Sequence, residues 1–296
     1  MYNINHNKNL NTLEIQDSNG KVYGKIYLSS GASLQELTLN GKAIIQDLSP
    51  LTYDTTYASS ILFPFANRIK DGSYSFNGQN YQFEVNQKEE NNALHGLVYN
   101  KEFNVLEQII KEDSATIVLE YREQNESNGF PYTYDIQVKY IFTKDSLSLN
   151  LFVKNTSTKA FPFTLGWHPY FISDNLHESV IKLDSNKIIR LGDRNITTGI
   201  ENITPIESIN IEDKKLDDCW ILNSNKVIFN TPQYDLAFES SDTNNFLQVY
   251  TPPRLNTIAI EPTTGVSDSF NNKIGLQVLN ANDTYEITWD LKITNN

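Results

Sequence analysis

Short apolar runs recur along this chain, separated by clusters of Asn, Asp, Gly and Ser. The alternation is cleanest in Tyr134-Asp135-Ile136-Gln137-Val138-Lys139-Tyr140-Ile141, the period of two that marks a strand with one buried and one wet face. Similar runs cover 21–28, 116–121, 147–153, 246–250 and 285–293. Two Asn-Gly pairs are flanked by strand-like sequence on both sides. Asn40-Gly41 joins 37–39 to 43–45, and Asn77-Gly78 joins 74–76 to 81–83. Asn-Gly supplies the two positive-φ residues of a type I′ turn, so both pairs predict hairpins. Helical signals are slight: a short pattern at 105–110, flanked by strand-like sequence, and one turn at 267–272. No repeat, linker or charge block divides the chain. The pattern predicts one all-β domain over 1–296, a large antiparallel β-sandwich rather than a series of βαβ units.

Composition agrees with this and narrows the partners. The 296 residues are 39% apolar and 20% charged, with 16 Tyr and 15 Phe; aromatics favour strands and sugar-binding surfaces. Thirty-six acidic against 24 basic residues give a net charge of −12, which repels phosphate backbones and anionic lipid. Nucleic acid and membrane are therefore not expected as partners. The single cysteine, Cys219, rules out an intramolecular disulfide framework and a multi-cysteine metal site. No basic, then apolar, leader opens the sequence and no apolar run reaches a membrane span of ~20 residues, so the expected location is cytoplasmic.

Candidate chemistry gathers in two segments, Gly166-Trp167-His168-Pro169-Tyr170-Phe171 and Ile258-Ala259-Ile260-Glu261-Pro262. Each sets a proton-transferring side chain at the end of an apolar run, directly before a proline that holds it in extended backbone. Such a residue is expected at the mouth of a sheet, and the two together suggest an acid/base pair. A carboxylate at Glu261 should be partly desolvated, its pKa raised as a general base requires. His95 precedes Gly96, which allows a close backbone approach; a packed histidine is the alternative. Arg68, in Phe65-Ala66-Asn67-Arg68-Ile69, needs a partner, either a structural carboxylate or a ligand's hydroxyls. Asp217 and Asp218 form a turn or accept sugar hydroxyls, and Trp167 and Trp220 are candidates for stacking on a sugar. His6 and His177 sit in polar surface segments. There is no nucleophile elbow, H-E-x-x-H, P-loop or G-x-G-x-x-G. Nothing in the spacing of His95, His168 and Glu261 asks for a metal.

Taken together, Asn67-Arg68-Ile69, the hairpin at 74–83, Leu94-His95-Gly96, His168-Pro169-Tyr170-Phe171, Leu216-Asp217-Asp218-Cys219-Trp220 and Ile260-Glu261-Pro262 resemble the aldose 1-epimerase (galactose mutarotase-like) family, from about residue 31 onward. The resemblance implies that family's large antiparallel β-sandwich. It implies Glu261 as general base, His168 as general acid, His95 and Arg68 holding and polarising a monosaccharide, and Asp217 anchoring its hydroxyls. Asn67, beside Arg68, and Trp167, beside His168, join the expected substrate contacts. Anomer exchange takes the C1 hydroxyl proton and protonates the ring oxygen, opens the ring, rotates C1 and closes it from the other face. No electrons move, so no cofactor is expected. The pair is expected to work as Glu⁻/HisH⁺, with a bell-shaped pH profile.

Two departures mark a divergent branch: Leu97 stands where a Gly often follows the His-Gly, and Ile172-Ser173 replaces an Asn-Leu. Galactose is therefore not implied as the sugar. Two other readings are compatible with the sequence. A hexose-6-phosphate 1-epimerase should cluster cations at its pocket, yet Arg68 is the only Arg before Arg122, with Lys70 and Lys88 nearby. A non-catalytic sugar-binding module has no need of Glu261 and His168 together.

Overall fold

Antiparallel strands dominate the computed structural model, which describes residues 1–242 and 245–294. Five consecutive strands, Tyr2–Asn7, Thr12–Asp17, Tyr23–Tyr27, Ser33–Leu39 and Lys42–Ile45, form a meander. A larger sheet of fifteen strands runs from Asn104–Ile110 through Ser114–Glu123, Tyr134–Thr143 and Ser146–Asn155 to Thr284–Thr294. It continues through Asp235–Ser240, Lys226–Asn230 and Val180–Leu191 into a central group that holds the site. The segment read as weakly helical, 105–110, lies in the edge strand Asn104–Ile110; the turn expected after Glu261 is the short helix Ser269–Asn272.

The alternation predicted for Tyr134–Thr143 is realised residue by residue, with Tyr134, Ile136, Val138, Tyr140 and Phe142 buried and their neighbours partly exposed. From this face Tyr140 donates to the Ala32 carbonyl at 3.0 Å, joining the large sheet to the segment between the third and fourth strands of the meander. Both Asn-Gly hairpins form: Asn40 and Gly41 have φ of 47° and 75°, Asn77 and Gly78 of 49° and 76°. The second pairs Ser73–Phe76 with Gln79–Gln82, so its returning strand begins directly after Gly78.

Five neighbouring pieces of the large sheet make the floor of the site. Asp217–Leu222 pairs with Phe246–Tyr250, which pairs with Thr257–Thr263; the last is flanked by Gly166–Trp167 and Tyr170–Ile172. Thr257–Thr263 is buried along its whole length, so its two faces serve different ends. Ile258 and Ile260 pack in the main core, while the face of Ala259, Glu261 and Thr263 is turned the other way. The strand continues through Glu261 and Pro262 to Thr263. Glu261 therefore lies within a central strand, not at its mouth as its place before proline suggested.

Candidate active site

The local backbone explains how each polar side chain reaches one concavity. His168 sits in the break between Gly166–Trp167 and Tyr170–Ile172. Its N–H donates to the Ser60 carbonyl at 3.1 Å, and its own carbonyl accepts from the Ser59 N–H at 2.8 Å. Adjacent residues of an extended chain point to opposite faces. With His168 facing the pocket, Trp167 must face inward, and it does: fully buried, it packs on Phe171 and Phe238. Trp167 and Trp220 are both core residues, so the stacking expected of them is replaced by packing. Trp220 stands three positions from Asp217 along one strand, which again places the two on opposite faces.

On the opposite wall, Arg68–Lys70 pairs with Asn92–Leu94. Asn67, His95 and Gly96 all have positive φ, of 61°, 63° and 77°, and the His95 N–H donates to the Asn67 carbonyl at 2.8 Å. A Cβ at position 96 would stand 2.2 Å from the Phe63 carbonyl oxygen, so only glycine lets the chain pass there. This close approach turns His95 into the pocket.

The resulting pocket has a volume of about 270 Å³ and is lined by Asn67, Arg68, His95, His168, Asp217 and Glu261 among others. His168 Nε2 lies 3.4 Å from Glu261 Oε1, with both side chains almost wholly buried. The His95 ring stands edge-on to that of His168, centroids 5.1 Å apart, and Tyr57 packs edge-on to His95 at 4.7 Å. Arg68 donates from Nε to Glu90 Oε2 at 3.0 Å and from Nη1 to Asn67 Oδ1 at 2.9 Å. Asp217 Oδ1 accepts from Gln248 Nε2 at 2.8 Å.

Burial sets the proton affinities. It pushes Glu261 well above the carboxylate range; the nearby Asp217 carboxylate adds to this and Arg68 partly offsets it. Burial pulls His168 down to about 4. It also holds His95 well below the usual imidazole range, helped by His168 and Arg68. Both shifts in the His168–Glu261 pair favour the neutral forms, a protonated carboxyl beside a neutral imidazole. Glu⁻/HisH⁺ contains the same number of protons and differs by one transfer across the 3.4 Å contact. The arrangement can thus give a proton at one atom and take one at a neighbouring atom.

Sequence reasoning missed Gln248, Tyr250, Tyr170 and Tyr57, all in the pocket wall. Gln248 carried a readable signal, a lone amide in the otherwise apolar run Phe246–Tyr250. Buried amides need partners, and Gln248 finds Asp217 across the neighbouring strand. Lys70 and Lys88 do not line the pocket. Among the described residues no group of three His, Cys, Asp or Glu is placed to hold a metal, and no helix is long and apolar enough to cross a membrane.

Sheet architecture and pocket together define a large antiparallel β-sandwich with a buried acid/base pair in one concavity. Residues 14–292 match the family described as aldose 1-epimerase, and the chain belongs to that family; the match begins earlier than residue 31. It is 24% identical over 286 residues to the protein YihR of Escherichia coli K12, covering 91% of this chain and 90% of that one. Its fold is that of a galactose mutarotase-like protein from Clostridium acetobutylicum (TM-score 0.87, 19% identity, 100% of this chain and 99% of that one). A galactose 1-epimerase from Lactobacillus acidophilus is similar in the same way (TM-score 0.80, 16% identity, 100% and 99%).

Proposed function

We propose that the protein is a mutarotase interconverting the α and β anomers of a free, uncharged hexose such as glucose or galactose. The observation that carries this reading is the His168–Glu261 contact of 3.4 Å at the floor of the pocket. The two oxygens that exchange protons in anomerisation, the C1 hydroxyl and the ring oxygen, are borne by one carbon. Their acid and base must stand side by side, as these do. A hydrolytic pair needs its carboxyls about 5–9.5 Å apart to admit a nucleophile or water.

Glu261, as carboxylate, takes the C1 hydroxyl proton while His168, as imidazolium, protonates the ring oxygen. The C1–ring-oxygen bond breaks and an aldehyde forms; C1 rotates, and the same groups return their protons as the ring closes. Arg68 and His95 bind and polarise the ring, and Asp217, oriented by Gln248, accepts hydroxyl protons. The pair works only with one proton between its members. Adding a second or removing the last abolishes turnover, giving a bell-shaped pH profile.

The phosphorylated-sugar reading is disfavoured by the pocket's charge. Among the described residues lining it, Arg68 is the one Lys or Arg, and it already pairs with Glu90, so the pocket offers a phosphate no cation without a counter-anion. Polarimetry of freshly dissolved α-D-glucose and α-D-galactose tests the proposal, with wild type beside Glu261→Gln and His168→Gln. The wild type should hasten mutarotation and each variant should lose about 10²–10⁴-fold. A folded wild type without effect on either sugar would sink the free-hexose assignment and move the test to hexose phosphates. Turnover that survives Glu261→Gln would refute the assigned base.

A further inference from the structure

Arg68 enters the pocket from a strand end that is held from outside it. Its Nε is shared by Glu90 and Gln87 Oε1, at 3.0 and 3.1 Å, and its Nη1 is bound to Asn67. Nη2 has no hydrogen bond among the described residues and is the nitrogen left for a ligand. Glu90 does not line the pocket. It is gripped in turn by a loop far along the chain: Asn195 Nδ2 donates to its Oε1 at 2.9 Å, and Arg194 Nε donates to its carbonyl at 2.5 Å. Arg194 Nη2 also reaches Asp71 Oδ1, the Asn91 carbonyl and Asn92 Oδ1 at 2.9, 2.7 and 2.9 Å. The Asn195 carbonyl accepts from Ser267 Oγ at 2.8 Å, just beyond the strand of Glu261.

Arg194 and Asn195 are successive residues with φ of 62° and 56°. Left-handed backbone is disfavoured at each such non-glycine position, and persists where the surroundings over-determine it. A lone exposed ion pair gives little reason for such a device. A guanidinium that must present one nitrogen at a fixed place gives a direct one.

We propose that Glu90, clamped by the Arg194–Asn195 loop, is a positioning residue: it fixes the Arg68 guanidinium with Nη2 available to the sugar and offsets the charge that Arg68 presents to the His168–Glu261 pair. What Arg68 holds rests on the mutarotase reading; the effect on the pair does not. The charged and titratable groups facing the pair are Arg68, His95, Asp217, Tyr170, Tyr250 and Cys219. Of these only Arg68 is a fixed cation, so removing its counter-anion lowers the affinity of Glu261 for a proton.

The test follows the Glu261 carboxyl by ¹³C NMR against pH in the ligand-free protein, its resonance identified by its loss in Glu261→Gln. In Glu90→Gln the midpoint should fall by about half a pH unit. Glu90→Asp restores the charge on a shorter arm, so its midpoint should return toward wild type while its KM stays high. On α-D-galactose, kcat/KM should drop about tenfold in both variants, chiefly through KM. Arg194→Ala, which leaves the pocket lining intact, should raise KM several-fold. A Glu90→Gln protein that titrates as wild type overturns the proposal, as does an unchanged KM in an active Arg194→Ala protein. Absence of mutarotation in the wild type would refute the mutarotase reading alone, and the carboxyl titration would still decide the role of Glu90.

Discussion

Glu261 and His168 are buried titratable groups, and burial moves their proton affinities in opposite senses. The folded-state pKa of Glu261 lies above its unfolded value of about 4.3. Its contribution to stability is complete below that value and is lost as pH rises toward the folded one. Glu261→Gln should therefore unfold at a higher urea concentration than wild type at pH 7, and the gap should close near pH 4. His168 behaves inversely. Its folded value, about 4, lies below the unfolded ~6.5, so its contribution is present above pH 6.5 and lost as pH falls through 4. His95 shifts in the same direction. Urea midpoints should fall between pH 6.5 and 4, and His95→Asn with His168→Asn should flatten that slope. An equal slope in the double variant would assign the acid sensitivity to other groups. At this scale the raised proton affinity of Glu261 was legible, because an apolar strand around a carboxylate has one electrostatic consequence. The position of Trp167 was legible too, had the opposed faces of neighbouring residues been applied to Trp167 and His168 together.

Two glycines separate backbone strain from steric conflict at the level of elements. Gly78 and Gly96 have nearly equal φ, 76° and 77°. A Cβ at Gly78 meets nothing within 4 Å, whereas at Gly96 it meets the Phe63 carbonyl oxygen at 2.2 Å. Gly78→Ala should cost about 1 kcal/mol, the left-handed penalty alone. Gly96→Ala should cost at least ~3 kcal/mol, because backbone must also move. Equilibrium urea unfolding measures both. A Gly96→Ala loss no larger than that of Gly78→Ala would show that the His95 wall yields easily. The hairpin at Asn77-Gly78 was visible because turn chemistry is local. The brace on Arg68 was not: its decisive contacts join Glu90 to Arg194 across 104 residues, and no local pattern marks a loop held by a remote carboxylate. Glu261 was misplaced along its strand for a related reason. Proline reads as a strand end, yet Pro262 sits in register with Leu247 inside the sheet.

The whole molecule turns on Thr284–Thr294, which lies between Ser146–Asn155 and Asp235–Ser240 and joins the two arms of the large sheet. Ile287, Trp289, Leu291 and Ile293 on this strand are buried. Truncation after Asp283 should abolish cooperative unfolding and leave insoluble protein, as seen by circular dichroism and sedimentation. A soluble, cooperative truncate would show that the arms hold without it. The alternation in this strand was plain in the sequence, but its central place was not, because alternation defines a face and says nothing of neighbours. Asn150 meets Glu286 across 136 residues of chain. At ~5–20 residues per second, a ribosome needs on the order of ten seconds to deliver that stretch. Throughout that interval one side of Ser146–Asn155 is an open hydrogen-bonding edge, able to pair with a neighbouring nascent chain. The yield of folded protein is therefore tied to the pace of translation and to the chaperones that meet the half-made sheet.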